Sequence, residues 1–92
     1  MWGIKINKNT RYKIALHPLD SKTMGHCDQD KKEILLKHDL CKEEMESTLI
    51  HEVIHAIDFE GNIKLTEKQT LKLEAGIYEF FRVNKIKMPK LK

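Results

Sequence analysis

The sequence predicts an α+β fold, a small and mostly antiparallel sheet packed on two helices, and three stretches predict it. Tyr12, Ile14 and Leu16 alternate with Arg11, Lys13 and Ala15, the period of two that marks a half-buried strand. From Lys42 to Glu60 the chain carries no Gly or Pro, and its apolar residues fall at helical spacing. Thr66 stands three residues before Gln69 ahead of a second periodic run, the pattern of a capping box at a helix start.

Residues 2–6 and 11–17 read as two strands, and Asn7-Lys8-Asn9-Thr10 between them has the polar composition of a hairpin loop. Pro18 ends the second strand because it brings no N–H to a ladder. Residues 18–31 are polar and read as a loop, at most with one helical turn. Lys32-Glu33-Ile34-Leu35-Leu36-Lys37 reads as a third strand, and an edge position there would let an extended peptide add to the sheet. The first helix is expected over residues 42–60, with Asp39 or the Cys41 region as its cap and Gly61-Asn62 as its stop. The second is expected from Thr66 to Arg82 or Asn84, with Leu71, Leu73, Ile77, Tyr78, Phe80 and Phe81 as its apolar stripe. Residues 1–84 form one domain in this reading, and 85–92 a loosely held basic tail.

Of the 17 Lys and Arg residues, Lys85, Lys87, Lys90 and Lys92 follow Asn84, leaving 13 basic and 14 acidic residues in the body. The net charge of +3 therefore describes the tail, and no basic face for nucleic acid is expected. No apolar run approaches the roughly 20 residues that span a bilayer, and the first residues do not resemble a signal peptide. A cytoplasmic protein is expected, as a monomer or weak oligomer, with Cys27 and Cys41 reduced.

The chemistry sits in Leu49-Ile50-His51-Glu52-Val53-Ile54-His55-Ala56-Ile57. On a helix, His51 and His55 lie one turn apart on the same face and can take two corners of a zinc tetrahedron. Glu52, one step round, can reach a metal-bound water as general base. The apolar neighbours turn these groups towards a protein interior, where unpartnered polar burial is costly. A catalytic zinc needs a third protein ligand. A hairpin of the two helices about residues 62–63 brings position 74 opposite position 51, which favours Glu74; Glu67, at the start of the second helix, is the alternative. Asp58, three residues after His55, is a candidate for fixing a histidine tautomer, and Tyr78 for assisting an oxyanion.

His51-Glu52-x-x-His55 followed by eighteen residues and then Glu74, with Leu73-Glu74-Ala75-Gly76 around it, resembles the gluzincin pattern of zinc metallopeptidases. At this length the chain is similar to the minimal gluzincins and to small phage-encoded metallopeptidase-like proteins related to the ImmA/IrrE and SprT groups. The resemblance covers residues 42–84. It implies a zincin-like arrangement: a sheet on an active-site helix and a following glutamate helix, one Zn2+ per chain, and a peptide or protein substrate along an edge strand near 32–37. It also keeps Glu67 open as the ligand, and no counterpart of the histidine or tyrosine that helps stabilise the oxyanion in larger members is found. Two rivals stand beside it, a domain with a purely structural zinc and a regulatory module that keeps the fold without turnover.

Overall fold

Four strands and two helices are present in the computed structural model, which describes residues 2–88. Residues 89–92 of the expected tail lie outside the described residues. Strands β1 (Trp2–Asn7) and β2 (Thr10–His17) form the expected antiparallel hairpin, with Ile4 opposite Tyr12 and the Asn9 N–H donated to the Asn7 side chain at the turn. A second antiparallel hairpin follows, β3 (Gly25–Asp28) and β4 (Glu33–Lys37). The two hairpins join through β2 and β4, which run parallel, so the strand order is β1-β2-β4-β3.

Two expectations are corrected here. The segment 18–31 contains strand β3 and is not only loop. Strand β4 exists but lies inside the sheet, with β2 on one side and β3 on the other, so the free edge beside the helices is β3. The sequence explains the interior position: Ile34 and Leu36 are both 0% exposed, the burial of a central strand.

Helix α1 (Lys42–Gly61) begins at Cys41, whose N–H is accepted by the Glu44 carboxylate at 3.2 Å, with Glu43 and Glu44 in the positive first turn. It stops at Asn62, which adopts the left-handed conformation with φ 51°. Met45, Leu49 and Ala56 press on Tyr12, Ile14, Ile34 and Leu36 to make the core. Each Leu, Ile or Met side chain among these is worth about 1.5–3 kcal/mol on burial. At the far end of α1, Glu60 accepts from the Tyr12 hydroxyl at 2.8 Å and pairs with Lys32, tying the helix to the sheet.

Helix α2 (Glu67–Val83) starts with the expected box: Thr66 Oγ1 accepts from the Gln69 N–H, and Gln69 Oε1 accepts from the Thr66 N–H. Among the described residues α2 packs on α1 and on no strand, giving the order sheet, α1, α2. Its expected stripe is only partly covered. Ile77, Tyr78 and Phe81 are half-buried, whereas Leu71, Leu73 and Phe80 are exposed. Leu71 and Leu73 point about 200° apart around a helix, more than one neighbouring helix can cover. Beyond α2 the chain is not wholly loose, since Met88 packs against the core cluster.

Candidate metal centre

The geometry of α1 sets the two imidazoles on the flank that looks past the sheet edge. His51 and His55 are four residues apart, their rings meet edge to face with centroids 4.6 Å apart, and their Nε2 atoms are 3.0 Å apart. The paired helices then bring two carboxylates of α2 to them from opposite sides. Glu67, the first residue of α2, faces both Nε2 atoms, with Oε2 3.6 Å from His51 and Oε1 3.8 Å from His55. Glu74, two turns later, accepts at 2.8 Å from Nδ1 of His51, the nitrogen on the other side of the ring.

The Nδ1 of His51 is positioned to donate to Glu74, which leaves its Nε2 as the nitrogen that faces His55 and Glu67. Burial, followed by the neighbouring His51, holds His55 below the usual histidine range and favours its neutral, ligating form. His51, His55 and Glu67 thus make a group that can hold a metal ion, one donor atom from each lying within 4.8 Å of the others. Glu74 sits opposite His51 at the level the hairpin predicts, yet it holds the ring from behind and is not in that group.

Glu52 lies deeper than either histidine, with 6% of its surface exposed. Removal from water pushes its carboxyl up to about 7, against the opposing pull of His51. Strand β3 is what covers it. A Cβ on Gly25 would come within 2.6 Å of Thr48 Cγ2 and 3.1 Å of Glu52 Oε2, so only glycine lets the strand lie so close to the helix. Cys27, on the same face of β3, is buried, and its thiol is pushed up to about 12 by burial first and then by the Glu52 carboxylate. A cleft of about 370 Å³ runs between Gly25, His26, Cys27 and Gln29 on one wall and His51, Glu52 and His55 on the other.

The two auxiliary candidates are placed elsewhere. Asp58 turns its carboxylate to the interhelix link, accepting from the N–H groups of Lys64 at 2.6 Å and Leu65 at 3.2 Å. Tyr78 donates its hydroxyl to Glu46 at 3.3 Å, a contact between the helices outside the cleft. His17 and His38 are exposed and away from the cleft, whereas His26 lines it. Neither Gly25 nor the role of Glu74 was legible as such. The only signal for Gly25 is a glycine opening a four-residue run in a polar segment.

Among the described residues no helix is long and apolar enough to cross a membrane. Compared with protein-family models, curated proteins and solved structures, the chain matches none.

Proposed function

We propose that this protein is a zinc-dependent peptidase in which His51, His55 and Glu67 hold one zinc ion, Glu74 orients His51, and Glu52 is the general base. The observation that carries the reading is Glu52, a carboxylate enclosed between β3 and α1 beside two histidines, where a purely structural site has no use for one. The donor set fits zinc. Bonds of about 2.0–2.1 Å in a tetrahedron set neighbouring donors about 3.3 Å apart, and the separations of 3.0, 3.6 and 3.8 Å bracket that edge. Two imidazole nitrogens and one carboxylate are also the three-ligand set of an open, catalytic site. Glu74 then supplies the carboxylate that metal-ligating histidines ordinarily have on their other nitrogen.

When bound, zinc lowers the pKa of a coordinated water from 15.7 towards about 7 and polarises a carbonyl. Glu52 takes up the proton of the attacking water on its carboxylate and returns it to the departing amine. A base works best with a pKa near the working pH, and burial brings Glu52 to about 7. The free edge of β3 runs along the same cleft, and its outward backbone groups suit an extended peptide. Free thiols at Cys27 and Cys41 suit a reducing compartment such as the cytoplasm.

The test is metal content together with cleavage of a quenched peptide pool by protein purified without chelator. We expect one zinc per chain in wild type and in Glu52→Gln, hydrolysis in the first and none in the second. Glu67→Ala should lose the metal, and Glu74→Ala should keep it with affinity reduced roughly 10–100-fold. Metal lost from Glu74→Ala and kept by Glu67→Ala would return the ligand role to Glu74. Zinc held without cleavage of any peptide would favour the regulatory module, and hydrolysis by Glu52→Gln would overturn the assignment of the base.

A further inference from the structure

The outward side of α2 exposes apolar side chains beside charged ones. Lys72, Leu73, Gly76, Glu79, Phe80 and Val83 are all exposed and fall within an arc of roughly 120° centred on Gly76. Leu73 is 44% exposed, Phe80 54% and Val83 66%, on a helix that buries only Thr70. A Cβ on Gly76 would meet nothing within 4 Å. No fold contact therefore accounts for the glycine in mid-helix, where it costs about 1 kcal/mol against alanine.

We propose that this face pairs with the same face of a second copy of the chain, the two α2 helices running antiparallel about a two-fold axis at Gly76. The face is complementary to itself under that operation and under no simpler one. Lys72 lies four residues before Gly76 and Glu79 three after it, both on one side of the arc. Reversal about Gly76 sets each Lys72 within about one residue rise, 1.5 Å along the axis, of the other copy's Glu79. Neither residue has an ion-pair partner in its own chain, among the described residues. Leu73 and Phe80 stand in the same relation on the other side of the arc, so each leucine meets the other copy's phenylalanine. Gly76 falls on the axis, where the absence of a side chain lets the backbones come close. An isologous contact requires this reciprocity, whereas an unrelated partner would not select matched charges at reflected positions.

One helix pair buries less than the roughly 1,200 Å² at which stable interfaces begin, so the dimer is weak and exchanges with monomer. The contact is independent of the metal chemistry, since Glu67 and Glu74 leave α2 from its other side, towards α1.

Sedimentation equilibrium of the zinc-loaded protein, up to about 1 mM, tests it. We expect a monomer–dimer equilibrium in wild type and monomer alone in Gly76→Arg, a variant that disturbs no contact within the chain and favours the helix. Lys72→Glu and Glu79→Lys should each weaken the dimer roughly tenfold, and the double variant should regain wild-type association. Circular dichroism on the same samples confirms that each variant is folded. Monomer throughout the range in wild type, a dimer unaffected by Gly76→Arg, or a double variant no better than the single ones would each overturn the proposal.

Discussion

Glu60 acts at the last turn of α1 and Gly25 against its middle, and each makes a prediction at the scale of one residue. Lys32 first and Tyr12 second hold the Glu60 carboxyl below the usual glutamate range. A carboxylate depressed on folding stabilises the native state above its unfolded pKa of about 4.3, and that contribution is lost as pH falls through the folded value. Wild type should therefore melt higher than Glu60→Gln at pH 6, and the gap should close below about pH 4. A gap independent of pH would show that Glu60 matters only by shape. Against the middle of α1, Gly25→Ala drives a methyl towards Thr48 Cγ2 and Glu52. We expect it to cost about 1–3 kcal/mol in urea unfolding. Thr48→Ser, which removes that Cγ2, should recover much of the loss when combined with it; no recovery would point to the strand backbone instead.

At the scale of the element, what could be read from the chain was whatever its local chemistry fixes. The hairpin β1–β2, both helices and the Thr66 cap follow from period, turn residues and side-chain oxygens at given spacings, and their ends fall within two residues of expectation. The level of Glu74 against His51 followed too, because a short link fixes the register of two antiparallel helices. Strand β3 was not legible. It is four residues long, its inward positions are Gly25 and Cys27, and its burial comes from α1 rather than from its own hydrophobicity. The same reason hid the edge, since Ile34 and Leu36 announce a strand without saying what lies on either side. Which nitrogen of His51 each carboxylate meets depends on ring orientation, which no spacing encodes. Thus Glu67 and Glu74 were both found in the sequence, while the structure puts Glu67 before the two Nε2 atoms and Glu74 behind the ring.

For the molecule as a whole, the layering decides what metal removal does. The core lies between the sheet and α1, while α2 touches α1 alone among the described residues and buries a single residue, Thr70. A metal bridging His51, His55 and Glu67 would therefore fasten the outer layer and leave the inner one almost untouched. Such a ligand at a hundred times its Kd adds about 2.7 kcal/mol. Hydrogen exchange after chelation should show α2 amides exchanging faster while β2, β4 and α1 stay protected. Loss of protection in β4 together with α2 would mean that the layers do not separate. The link between the helices acquires a further meaning from this. Asp58 grips Lys64 and Leu65, so residues 62–66 behave as a spacer of set length rather than slack. A residue inserted between Leu65 and Thr66 would move the start of α2 away from the point that Asp58 holds, and carry Glu67 off the histidines with every candidate ligand still present. Surface connections ordinarily absorb insertions; in a descendant of this chain, a lengthened link would silence the centre while leaving its motif intact to the eye.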